Sequence, residues 1–196
     1  MPNEEHGIVL DYLPTGKSNS FKSEPIAQII GTEFFTLLEV IPLTVLKVLT
    51  KVYIGKEERK EIQFIKRRIS FGELTNTAVS EIEKAIEMIV KEDPQKFIDF
   101  FNKSGSLSLR MHQLELLPGL GKKHLFQILK ERESKPFESF SEISERVSLM
   151  PNPTRLIVKR ILVELEDDKL KYYVFVRPPP KEERSFRWFK WICLLN

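Results

Sequence analysis

The sequence is poor in the residues that most catalytic and metal chemistry requires. Its single cysteine, Cys193, excludes an internal disulfide and a cysteine-based zinc cluster. Its three histidines, His6, His112 and His124, are too scattered for metal-ligand spacing. The carboxylate pairs Glu57-Glu58 and Asp167-Asp168 are adjacent in the chain, so they diverge instead of forming an acid–base couple. No Ser-His-Asp or Cys-His set can be assembled. No run approaches the ~18 apolar residues of a membrane span, and the acidic start Met1-Pro2-Asn3-Glu4-Glu5 is not a secretion signal. Gly16-Lys17-Ser18 has the ending of an NTP phosphate loop, but Asp11 stands where that loop needs its first glycine, and Pro25 follows where a helix is required. The expectation is a protein that is not an enzyme, with no cofactor, no metal and no membrane contact, in a reduced cytoplasmic setting.

What is present is an ordinary soluble composition: 196 residues, 41% hydrophobic and 30% charged. That is enough for one large or two small domains. The net charge of +3 is mild but uneven. The basic surplus lies in residues 107–165 and in the tail, while the middle of the chain is slightly acidic. This distribution favours a polyanionic partner without demanding one.

The most informative stretch is Leu116-Leu117-Pro118-Gly119-Leu120-Gly121-Lys122-Lys123. It predicts a tight turn between two helices, Leu107–Leu117 and Gly121–Arg132. Pro118 discourages helix in the residue before it, and Gly119 permits the positive φ of a sharp reversal. Leu120 is the residue that folds back between the helices, and Gly121 leaves the start of the second helix bare. Free N–H groups beside Lys122 and Lys123 make an anion site, with His124 on the same first turn. The run resembles the helix-hairpin-helix motif of DNA- and RNA-binding proteins, with Leu125 and Ile128 at the packing positions of its second helix. A second unit follows. Lys135-Pro136-Phe137-Glu138-Ser139-Phe140 leads into a short helix, Ser141–Val147, with capping-box spacing between Ser139 and Glu142. Met150-Pro151-Asn152-Pro153 then opens a longer helix, Thr154 to about Asp167. This copy lacks the two glycines, so it is expected to pack the first copy rather than grip phosphate well.

Upstream, apolar runs at 7–13, 26–30, 34–41, 45–54 and 62–69 predict five strands. Five short strands in about seventy residues fit a small OB-like barrel. In such a barrel the ligand lies between the first–second and fourth–fifth loops, here carrying Lys17 and Lys22 in one and Lys56, Arg59 and Lys60 in the other. Lys66 and Arg68 fall on one face of the last strand and Arg67 on the other. Tyr53, Phe64 and Phe21 are candidates for base stacking, against the commoner role of strand aromatics as core. Asn76 or Thr77 is expected to cap a helix with the stripe Ala78, Ile82, Ala85, Ile86, Ile89. Pro94 opens another through Phe97, Ile98, Phe100 and Phe101, and Asn102–Ser106 is a flexible exit. Residues 169–177 predict a strand, and 185–196 form a basic, aromatic tail that docks or is disordered.

The divisions expected are therefore 1–75, an OB-like barrel; 76–106, a helical connector; 107–168, the helix-hairpin-helix pair; and 169–196, the strand and tail. The fold class is α+β. Several stretches together carry a wider resemblance: Asp11-Tyr12-Leu13-Pro14, Pro25-Ile26-Ala27-Gln28, Tyr53-Ile54-Gly55-Lys56, Arg67-Arg68-Ile69, Glu73-Leu74-Thr75, His112 to Gly119 and Lys135 to Phe140. From about residue 7 to 177 the chain resembles the archaeal domain-of-unknown-function family numbered 655. The resemblance implies an OB-like barrel followed by a helix-hairpin-helix region, and nucleic-acid binding with RNA favoured over DNA. The expected nucleic-acid contacts are Gly119, Leu120, Gly121, Lys122, Lys123 and His124 at the hairpin, with Lys17, Lys56, Arg59, Lys60, Lys66 and Arg68 at the barrel. The alternative expectation is an adaptor that docks on a ribosomal or transcription complex through protein contacts.

Overall fold

The structure, a computed structural model, describes residues 4–16 and 24–178. Lys17, Phe21, Lys22 and the aromatic tail lie outside the described residues. The fold is α+β, as the pattern predicts. Five strands, β1 (His6–Leu13), β2 (Ile26–Gly31), β3 (Leu37–Pro42), β4 (Lys51–Tyr53) and β5 (Ile62–Arg68), form an antiparallel sheet in the order β4-β1-β2-β3-β5. The sheet curls into an OB-like half-barrel whose two edges are β4 and β5.

Alternation along the strands separates two cores. Ile8, Leu10, Ile30 and Leu37 face the helices, while Val9, Ala27, Ile29, Leu38 and Val40 fill the hollow of the curl with Val52, Ile54 and Ile62. Burial on both faces explains why β2 and β3 read as nearly continuous apolar runs. Helix α1 (Asn76–Glu92) lays its predicted stripe, together with Val90, across the sheet. Its cap is Thr75 rather than Asn76 or Thr77: the Thr75 hydroxyl accepts the Ala78 N–H at 3.1 Å. That hydroxyl also donates to Asp11 at 2.6 Å. Buried Gln28 completes the joint, donating to the Glu73 carbonyl at 3.0 Å and accepting the Thr75 N–H at 2.9 Å. Residues from three of the stretches that carry the family resemblance thus meet where the sheet hands over to the helices.

Helix α2 (Gln95–Lys103) buries Phe97, Ile98 and Phe101. The expected flexible exit is instead an anchor. Asn102 donates to the Phe137 carbonyl and accepts the Phe137 N–H, both at 2.8 Å, and Arg146 covers the Phe137 ring at 4.6 Å.

The expected helix 107–117 does not form. A small hairpin, β6 (Ser106–Ser108) with β7 (Met111–His112), takes its first half, and a 3-10 turn, Gln113–Leu116, takes the rest. The local reason is a reciprocal cap. His112 Nδ1 accepts the Leu114 N–H at 3.1 Å while Glu115 accepts the His112 N–H at 2.7 Å. This fixes His112 in extended backbone and starts the turn there. Helices α3 (Lys122–Ser134), α4 (Phe140–Arg146) and α5 (Pro153–Glu166) follow close to their expected bounds.

The strand expected over 169–177 is also absent. Residues 171–178 run as an irregular strap, because one carboxylate takes the place of a strand partner. Buried Glu164 accepts the N–H groups of Val174, Phe175 and Val176 at 2.8, 2.9 and 2.8 Å. The strap is pinned to the barrel by the Arg177 N–H, which donates to the Phe34 carbonyl at 3.0 Å.

Candidate nucleic-acid interface

The turn between the 3-10 segment and α3 has the conformation its residues predict. Leu120 N–H closes back on the Leu117 carbonyl at 3.1 Å, and Gly119 sits at φ 96°, in the left-handed region. Leu120 is buried in the core with Leu125 and Ile128. The second glycine plays a different part. Gly121 has φ −79° and ψ 161°, which any residue adopts, and it stands at the N-cap with no side chain capping the helix. A Cβ built there meets nothing nearer than His124 Nδ1 at 3.8 Å. Gly121 therefore keeps the helix end bare without serving the turn's conformation. Helices α1, α4 and α5 carry side-chain caps from Thr75, Ser139 and Asn152.

Lys122 and Lys123 are exposed, and neither joins an ion pair among the described residues. His124 is half-buried. Its Nδ1 is buried without a hydrogen-bond partner, so it does not cap a neighbouring carbonyl. The site is an unfilled ring of donors beside two free ammonium groups, which suits an anion.

The second unit repeats the geometry with different residues. Met150 N–H closes on the Val147 carbonyl at 3.3 Å, and Leu149, in the place of Gly119, has φ 56°. Asn152 then caps α5 by accepting the Arg155 N–H at 3.1 Å. The two turns are neighbours, since a Cβ on Gly119 would lie 3.7 Å from the Leu156 side chain in the first turns of α5. The loss of glycine left the left-handed residue in place and filled the helix end with a side chain.

The residues that hold the first turn were not singled out from the sequence. Arg160 of α5 is buried, and it donates to the Leu116 carbonyl at 3.3 Å and to the Tyr172 carbonyl. It also pairs with Glu164 at 2.7 Å. One ion pair thereby ties the entry of the turn to the C-terminal strap. A spacing of four between Arg160 and Glu164 was visible, but such pairs usually lie on a solvated face.

At the barrel, the expected residues separate into different roles. Lys56 and Arg59 line a cavity of about 220 Å³ with Leu38, Ile54, Ile65 and Arg177, and Arg59 folds back to donate to the Gly55 carbonyl at 2.7 Å. Lys60 is exposed. Lys66 is the extra residue of a bulge between the pairs Val40–Ile65 and Glu39–Arg67, so the simple alternation expected for Lys66, Arg67 and Arg68 is interrupted. Arg68 holds the strap: its guanidinium donates to the Arg177 and Pro178 carbonyls at 2.6 and 3.1 Å. Burial, followed by the neighbouring Arg177, lowers its pKa from the usual arginine value. Arg67 bridges Glu39 at 3.0 Å and Glu73 at 2.6 Å. Of the candidate stacking aromatics, Tyr53 is half-buried against His6 with ring centroids 5.4 Å apart, and its hydroxyl accepts the Glu57 N–H. Phe64 of β5 is 44% exposed.

The family described as "Protein of unknown function (DUF655)" matches residues 3–177. The chain belongs to this family. It is 43% identical over 177 residues to "Uncharacterized protein MJ0038" of Methanocaldococcus jannaschii, a match covering 89% of this chain and 80% of that one. The crystal structure of Af1531 from Archaeoglobus fulgidus, also 43% identical, superposes with a TM-score of 0.83 over 89% of this chain and all of the other. These relatives support the DUF655 fold from barrel to strap. Among the described residues no helix is long and apolar enough to cross a membrane.

Proposed function

We propose that this DUF655 protein is a non-catalytic nucleic-acid-binding protein that holds backbone phosphate at the Pro118–Lys123 turn. The observation that carries the reading is the bare N-terminus of α3. Gly121 leaves the helix without a side-chain cap, and Lys122 and Lys123 stand beside it without ion-pair partners among the described residues. Oriented N–H groups with the positive end of a helix dipole favour a phosphate oxygen. RNA is the preferred polymer. Phe64 offers an exposed ring on β5 near Lys66, and unstacked bases of RNA loops are the usual partners of such a surface.

The test is binding of a short RNA across a salt series. Changing Lys122 and Lys123 together to alanine should weaken binding regardless of sequence. It should also flatten the log–log salt dependence by roughly 0.9 for each lost contact. An unchanged slope removes the assigned role of these lysines. A second reading, protein docking, is favoured by Leu43 and Val45, which are 55% and 78% exposed on the β3–β4 connection. It would be supported by negligible RNA binding at physiological salt.

A further inference from the structure

We infer that Leu149, at the tip of the second turn, is an apolar wedge that enters an unstacked step of the RNA held at the first turn. The inference rests on the RNA-binding reading above and adds to it the form of RNA recognised, a helix interrupted by an unpaired nucleotide.

Three residues other than glycine have positive φ: Phe35 at 54°, Leu49 at 62° and Leu149 at 56°. Each is a conformation that a branched or bulky residue adopts at a cost. For two of them the fold supplies the compensation. Phe35 is fully buried, and Leu49 packs against the same core. Leu149 is 85% exposed and belongs to neither core cluster. The strained backbone therefore holds a large apolar side chain out in water, and no contact among the described residues accounts for it.

Its position gives the occupant. Leu149 stands where Gly119 stands in the first turn, and the two turns adjoin through Gly119 and Leu156. Around it the exposed charges of α5 are Arg155 and Lys159, those at the start of α3 are Lys122 and Lys123, and Glu145 of α4 is the exposed acid nearest in sequence. A mainly cationic surround selects a polyanion over an apolar protein surface. Within a polyanion, a leucine finds apolar contact only between bases. Regular A-form RNA does not open its stack to side chains, whereas a bulge or junction already has a parted step, and leucine is among the side chains that occupy such steps. The second turn, whose helix end is already filled by Asn152, would thus read an interruption in the helix while the first holds phosphate.

The experiment compares the full chain with L149A and L149G on two short RNA duplexes that differ only by a one-nucleotide bulge. The full chain should prefer the bulged duplex, and both variants should lose roughly tenfold on it, the order expected for removing one buried leucine side chain. Affinity for the flush duplex and its salt slope should not move. L149G should melt at or above the temperature of the unaltered protein, because glycine accepts φ 56° freely. An undiminished bulge preference in both variants overturns the inference. So does sedimentation showing a dimer that L149A dissolves. Failure of the unaltered protein to bind either duplex overturns the RNA-binding reading itself.

Discussion

The Arg160 guanidinium and the Glu164 carboxylate lie 2.7 Å apart on successive turns of α5, with side chains 7% and 0% exposed. A buried ion pair is stable only when its remaining lone pairs and protons are also satisfied. Here they are: Glu164 accepts three strap N–H groups, and Arg160 reaches the carbonyls of Leu116 and Tyr172. The pair therefore sets two things at once, the course of residues 172–176 and the entry into the Pro118–Lys123 turn.

Removing Glu164 should be severe. E164A leaves the guanidinium buried without its partner and strands three amides, so a loss of about 3–5 kcal/mol is expected. Replacing both residues by apolar ones should not rescue the protein, because the amides stay unpaired. Urea unfolding of E164A and of R160M/E164L measures both. Recovery of stability in the double variant would show that the amides find other partners.

Glu73 gives a pH signature. Its carboxyl is held down to about 2 by the Ser70 N–H and the Arg67 guanidinium. The ionised form is therefore favoured in the folded protein. The stabilisation is fully present above the ordinary carboxylate value of 4.5 and is lost as pH falls from there toward 2. Both partners are about 40% exposed, so solvent screening limits the effect to about 1 kcal/mol. E73Q should melt below the unaltered protein at pH 7, and the gap should narrow as the pH is brought down through 4 to 3. A gap that is constant with pH would place the loss in packing.

The strands and α1 were legible because their signals are local: apolar alternation, turn residues, a helical stripe. The Pro118-Gly119-Leu120-Gly121 turn was legible for the same reason. Two elements were not, and for different causes. Residues 107–117 have helical propensity, but His112 and Glu115 cap each other and divert the backbone into β6, β7 and a 3-10 turn. Residues 169–177 have the composition of a strand, but their N–H groups go to Glu164, a residue outside the run that no period reveals. Arg68 shows the same limit at the barrel. Its charge and strand position were visible, while the two strap carbonyls that occupy it lie over 100 residues away.

The two glycines of the turn offer a separation of fold from function. Gly119 at φ 96° is needed for conformation, although a Cβ there has room, its nearest neighbour being Leu156 at 3.7 Å. G119A should therefore cost about 1–3 kcal/mol through the backbone alone. Gly121 has an ordinary extended conformation and no crowding, so G121S is free of strain and adds the hydroxyl cap that α3 lacks. Its melting temperature should equal or exceed that of the unaltered protein. The same hydroxyl would occupy the N–H groups assigned to phosphate and should weaken RNA binding. Stability and binding measured on one preparation of each variant decide the matter. If G121S binds as well as the unaltered chain, the bare end of α3 is not where the phosphate sits.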